Sequence, residues 1–141
     1  SLREATIDML EKAKPHMPDV VYRRAKHIIT ENARTLSAST ALKNGDIVTV
    51  SEAMAASHAS MRDDFEITVP PIDYLVKIIH SLIGNTGGVR MTGGGFGGCV
   101  VALVPTDRVN DVKQCVADNY FNETGYHADI YVCTATQGAF A

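Results

Sequence analysis

The spacing of apolar residues changes character near residue 85. Before it, the pattern is helical. Ala5 to Lys14 predicts a short helix stopped by Pro15 and Pro18. Asp19 is placed to cap a second helix, in which Val21, Ala25, Ile28, Ile29, Ala33 and Leu36 recur at the 3.6-residue period. That helix is expected to end near Asn44-Gly45, where glycine readily takes a left-handed C-cap conformation. Asp46 then caps a third helix with Ile47, Val50, Met54 and Met61 on one face. Two long helices joined this tightly are expected to pack antiparallel. Residues 62–71 read as a connection closed by two prolines. A fourth helix opens at Ile72, carries Leu75, Val76, Ile79 and Ile83 on its stripe, and ends at Gly84-Asn85.

After that point short apolar runs alternate with glycine. Val89 and Met91 predict a short strand, and residues 93–98 a glycine-rich loop. Cys99 to Val104 is a continuous apolar run, as in a strand buried on both faces or central in its sheet, ended by Pro105. Asp107 to Asn122 predicts a fifth helix with Val109, Val112, Val116 and Tyr120 inward, and Gly125 as its stop. His127 to Thr134 predicts a last strand, and the tail after Gln137 is expected to be loose. Helices followed by β-loop-β-α-β give an α+β domain with helices on one face of a small sheet. Three strands make a thin sheet with an unpaired edge, and a fourth strand from sequence beyond this chain would close it.

Composition narrows the class. At 141 residues, with 45% hydrophobic and 21% charged residues, the chain suits one globular domain that needs no disulfide or metal to fold. A net charge of −3 with scattered basic residues argues against a nucleic-acid surface. The densest basic cluster, Arg23, Arg24 and Lys26, reads as a solvated helix face. Three cysteines without close spacing give neither a disulfide framework nor a zinc pattern, and Cys99 and Cys133 are expected to be buried, inert thiols of a reducing cytosol. No apolar run reaches the length of a membrane span, and no signal peptide is visible. The chain begins with Ser1 rather than Met, as a processed or excised piece would.

The densest chemical signal is Arg90-Met-Thr-Gly-Gly-Gly-Phe-Gly-Gly-Cys99. Five of the six positions from Gly93 to Gly98 are glycine. Each glycine costs roughly 0.5–1 kcal/mol of backbone entropy relative to alanine, so five together need a reason. Glycine allows positive φ and close backbone approach, and successive N–H groups in such a turn can form an anion-holding nest. Gly93, Gly95 and Gly98 match the dinucleotide string G-x-G-x-x-G, yet a strand and not a helix follows, so no helix N-terminus receives a pyrophosphate. The phosphate-loop pattern fails too, because no Gly-Lys-Ser/Thr is present. On residues alone, a ligand-free hairpin connection and a phosphate-facing loop both stay open.

The remaining candidates favour structural readings. Asp63 and Asp64 would cap a helix or pair with Arg62. Ser57, His58 and Ser60 lack a nucleophile elbow, so His58 reads as a partly exposed helical histidine. His16, His27, His80 and His127 have no metal-ligand spacing. Tyr22, Tyr74, Tyr120, Tyr126 and Tyr131 read as core-edge residues.

The run from Val89 to Cys99 resembles the third signature motif of GHMP kinases in its galactokinase form. The run from Ser57 to Pro70 with Ile72-Asp73, and Glu31-Asn-Ala-Arg34, are similar to the same family. The resemblance covers residues 2 to about 138. It implies a ferredoxin-like C-terminal domain of a GHMP kinase, a small antiparallel sheet covered by helices, with extra N-terminal helices. Residues 1–141 would form that domain, helical over about 1–84 and β-loop-β-α-β over about 87–135, with the N-terminal catalytic domain absent. It further implies a cytoplasmic enzyme that uses ATP and Mg²⁺ to phosphorylate galactose at its anomeric hydroxyl. Gly93, Gly94, Gly95, Phe96, Gly97 and Gly98 would support the separate loop that grips the ATP phosphates. The family's sugar-contacting residues, Ser-rich ATP loop and catalytic Asp have no match here, so no catalytic residue and no metal ligand is expected, and the piece alone is expected to be inactive. Partners would be galactose, ATP and the missing domain, with no nucleic acid and no membrane. A non-catalytic galactose or ATP sensor of the same fold is the alternative, and self-association through an exposed cleft face is a third reading.

Overall fold

A computed structural model describes residues 2–137. The tail beyond Gln137 lies outside the described residues. α1 spans Ile7–Ala13; the Thr6 hydroxyl caps it by accepting the Met9 N–H at 3.2 Å. α2 spans Asp19–Lys43, with Pro18 and not Asp19 at the N-cap; Asp19 sits in the first turn and accepts from Arg23 Nε at 2.8 Å. α3 spans Ile47–Ser60, and Asp46 caps it through the Thr49 N–H, as its position predicts. His27 meets Ser60 and Glu31 meets Ser57, so α2 and α3 run antiparallel. The apolar stripe expected on α2 turns inward only in part: Ala25, Ile28 and Ile29 are half-buried, Val21, Ala33 and Leu36 are exposed, and the buried residues are Tyr22, His27 and Ala41. Polar partners on α3 pull the helix round.

The connection after α3 is shorter and more ordered than its composition suggests. One π-helical turn, Met61–Phe65, prolongs the helix, and α4 begins at Pro70 and runs to Ile83. Proline suits that start because the first helical N–H has no intrahelical partner to lose. β1 spans Gly88–Thr92 and β2 spans Cys99–Leu103; they pair antiparallel with Arg90 opposite Val101 and Met91 opposite Val100. α5 spans Val109–Thr124 and buries Val112, Val116 and Tyr120, and the chain leaves it at Gly125.

The architecture is α+β: five helices and a two-stranded antiparallel sheet among the described residues. The third strand expected at residues 127–134 is absent; this stretch carries no ladder hydrogen bond. β2 is also not buried on both faces. Val100 and Ala102 face the helices, while Cys99, Val101 and Leu103 face out. Cys99 and Cys133 are consequently exposed, contrary to the apolar-run argument, and Tyr126 and Tyr131 are exposed too. A sheet one strand thinner than expected leaves a strand edge without a partner.

Two apolar clusters meet on β1. Val89 joins Val76, Ile79, Ile83, Val112, Val116 and Tyr120 between α4 and α5. Met91, fully buried, joins Met61 and Ile72, with Ile67 and Val69 packed alongside. The second cluster lies beneath the glycine loop. β1 approaches α3 closely at Gly88, where a Cβ would fall 2.5 Å from Met54 Sδ.

Candidate functional site

The glycine loop joins β1 to β2 and is seated at one point. The Phe96 N–H donates to the Ile67 carbonyl at 2.6 Å. A Cβ on Gly95 would come within 2.7 Å of Ile67 Cβ and 2.8 Å of its carbonyl oxygen, and Gly95 has φ +85°. Only glycine fits there without moving backbone. Gly93, Gly94 and Gly97 have open space beside their Cα atoms, and a Cβ on Gly98 would lie 3.5 Å from the Thr92 carbonyl oxygen, an ordinary contact. Phe96 itself has φ +58° and is 75% exposed. The loop thus has a back, pressed on Ile67, and open space beside Gly93, Gly94 and Gly97.

The seat is built from α2. Arg23 Nη1 donates to the Asp63 carbonyl at 3.1 Å and Arg24 Nη1 to the Asp64 carbonyl at 2.6 Å. Arg23 and Arg24 also hold the Glu66 carboxylate, at 3.1 and 2.6 Å, keeping its carboxyl below the usual range. Lys26 binds Asp64, which accepts from Ser60 as well. The cluster read as a solvated helix face therefore grips the π turn. A π turn lacks ordinary helical bonding for its last carbonyls, and these guanidiniums satisfy them. Asp63 pairs with Arg62 through both carboxylate oxygens, at 2.7 and 2.9 Å, one of the two roles its position allowed. Glu66 then takes φ +56° and turns the chain so that Ile67 meets Gly95.

A second support is buried. His58, expected to be partly exposed, is 5% exposed. Its Nδ1 accepts the Met91 N–H at 3.2 Å and its Nε2 lies 3.0 Å from Asp73 Oδ1. These partners fix the tautomer: Nδ1 carries the lone pair and Nε2 the proton. Burial pushes the imidazole below its ordinary pKa, against the opposing pull of Asp73. His27 behaves alike: it is buried, bonded to Ser60 Oγ at 3.0 Å and stacked on Phe65, and burial again lowers its pKa.

The third support is a charge cluster between α2, α3 and β1. Glu31 accepts from Ser57 at 2.6 Å, Arg34 at 2.8 Å and Arg90 at 3.0 Å. Burial raises its pKa, but the Ser57 hydroxyl and the two guanidiniums outweigh that and hold the carboxyl below the usual range. Arg90 also bonds Ser57 and, through Nε, the Met91 carbonyl at 3.0 Å. Neither this cluster nor the His58–Asp73 pair follows from spacing in the sequence, because the partners lie up to 59 residues apart. The Glu31–Arg34 pair, three apart on a helix, is the one part a helical reading could have found. Among the described residues no group of three His, Cys, Asp or Glu could hold a metal, and no helix is long and apolar enough to cross a membrane.

The hairpin glycine loop is thus held at its back on Ile67 and open at its front, at one end of an α+β domain. The family model for the C-terminal domain of GHMP kinases matches residues 38–122, more than half of the chain, and the chain belongs to that family. It is similar to the solved galactokinase of Lactococcus lactis, crystallised with galactose, at 35% sequence identity and a TM-score of 0.82. The match covers 89% of this chain and 32% of that one, so the chain spans about a third of the galactokinase.

Proposed function

We propose that the chain is the C-terminal domain of a galactokinase, lacking the N-terminal catalytic domain, and that the complete protein transfers the γ-phosphoryl group of ATP to the anomeric hydroxyl of galactose. The observation that carries this reading is the 35% identity to a galactokinase maintained over 89% of the chain. The loop geometry supports it. With Gly95 and Phe96 anchored on Ile67, the open faces of Gly93, Gly94 and Gly97 are left for the phosphate-binding loop of the other domain.

Phosphoryl transfer is catalysed by positioning and by charge stabilisation from metal and cations. This chain supplies positioning. The open space beside Gly93, Gly94 and Gly97 leaves room for a partner loop that encloses phosphates. Mg²⁺, which usually takes one or two carboxylates together with substrate phosphates, would be held from the other domain in this reading. Arg90, the cation nearest the loop in sequence, is committed to Glu31 and Ser57.

A coupled assay of ADP release tests the reading. The 141-residue chain alone is expected to show no ATP- and galactose-dependent release, and the complete gene product to show it. Turnover by the isolated chain overturns the domain assignment. Galactose binding without turnover by the complete product would make it a sensor.

A further inference from the structure

The glycine loop is held at two places, and one series of hydrogen bonds connects them. The first place is its entry. Met91, two residues ahead of Gly93, donates its N–H to His58 Nδ1 at 3.2 Å. The second is its apex, where the Phe96 N–H donates to the Ile67 carbonyl at 2.6 Å. Between them, His58 Nε2–H donates to Asp73 Oδ1 at 3.0 Å, and the other oxygen of that carboxylate accepts the Thr68 hydroxyl at 3.1 Å. Thr68 is the chain neighbour of Ile67. The bonds therefore close a circuit. It runs from Met91 through His58, Asp73 and Thr68 to Ile67, crosses to Phe96, and returns along the loop to Met91.

The members of this circuit come from different elements. His58 lies on α3, Asp73 in the first turn of α4, and Thr68 in the segment between the π turn and α4. The Asp73 carboxylate thus sets how far β1 stands from the segment that seats the loop. The loop cannot set that distance itself. Five of its six residues are glycine, the residue with the freest backbone, and Gly93, Gly94 and Gly97 meet nothing on their Cβ side. Satisfying the buried Met91 N–H alone would take one acceptor. Here the ring passes the constraint on, through a carboxylate, to the residue beside the seat.

We infer that His58 is a positioning residue for phosphoryl transfer, fixing the glycine loop through Asp73 and Thr68 at the place where the phosphate-binding loop of the other domain meets it. The inference rests on the kinase reading and deepens it. The ring is buried, so it acts through the backbone it holds and touches no substrate. A misplacement of about 1 Å around transferring groups can cost about a hundredfold in rate.

Thr68→Val in the complete gene product is the deciding variant. It removes the hydroxyl at nearly constant shape, and the apolar cluster of Met61, Ile72 and Met91 beneath the loop does not depend on it. kcat is expected to fall at least about tenfold, with KM for galactose within about twofold and Tm nearly unchanged. The Phe96 amide is expected to exchange hydrogen at least about tenfold faster, while the Val116 amide of α5 keeps its rate. Unchanged kcat and unchanged Phe96 exchange overturn the inference. Equal acceleration of both amides overturns it too, because it reports general loosening. His58→Gln, whose amide can keep both ring bonds, is expected to retain kcat within about threefold, where His58→Leu loses at least about thirtyfold. Similar losses in the two would reduce the ring to packing and sink the proposal; should His58→Leu fail to fold, Thr68→Val decides. A lowered kcat in Thr68→Val with Phe96 exchange unchanged would break the circuit and leave the kinase standing. No galactose turnover by the unsubstituted product would sink the kinase reading and the role in transfer, and Phe96 exchange would then judge the circuit by itself.

Discussion

At His58 the two ring nitrogens face different elements: Nδ1 accepts the Met91 N–H of β1, and Nε2–H donates to the Asp73 carboxylate of α4. A second proton on the ring would have to sit on Nδ1 and would expel that N–H. Burial already keeps the folded pKa below its ordinary value, and it does the same for His27. Between the depressed folded pKa and the unfolded value near about 6.5, the unfolded chain binds more protons, so stability rises with pH. The stabilisation is present above about pH 6.5 and is lost as pH falls toward the folded pKa, by at most about 1.4 kcal/mol per pH unit for each histidine. Urea midpoints at pH 8 and 5.5 check this. His58→Gln, whose amide can keep both hydrogen bonds without titrating, is expected to reduce the slope; an unchanged slope would remove His58 from the account.

Among the elements, the glycine loop and the π turn form one mechanical unit. Gly95 and Gly93 both have positive φ, but only Gly95 touches anything. Gly93→Ala is expected to cost about 1 kcal/mol, the backbone strain alone. Gly95→Ala adds a collision with the Ile67 carbonyl, so its loss should be larger, about 2–3 kcal/mol. Thermal denaturation of both variants decides it, and equal losses would mean that the loop is not seated on Ile67. In the complete protein, Gly95→Val is further expected to lower kcat.

The helices were legible in the sequence because periodicity and caps such as Asp46 act locally. The burial of His58 was not. Alanine and serine surround position 58, and the partners that hold the ring, Met91 and Asp73, lie 33 and 15 residues away. The gripping role of Arg23, Arg24 and Lys26 was hidden for another reason: their partners lie about 40 residues away. The glycine loop was legible as a loop that needs close approach. That its own chain supplies the approaching group, at Ile67, was not. Residues 127–134 carry a strand's alternation, but alternation cannot report whether a partner strand is present.

For the molecule as a whole, cations are spent on internal support. Arg23 and Arg24 hold the π turn, and Arg34 and Arg90 hold Glu31. A nucleotide's phosphates would therefore meet backbone N–H groups on the loop with no neighbouring guanidinium free to add charge. Titration calorimetry of the isolated chain with ATP is expected to give no binding tighter than about 1 mM, near −4 kcal/mol. Micromolar binding would mean that this domain holds phosphate on its own.

The π turn at Met61–Phe65 has a further consequence, for evolution. Surface connections usually tolerate gain or loss of a residue. Here a single deletion would convert the turn to ordinary α-helix and swing everything downstream by about 100° around the helix axis. The Ile67 carbonyl would face elsewhere, while each helix stayed intact. Length, more than side-chain identity, is what this exposed corner must conserve.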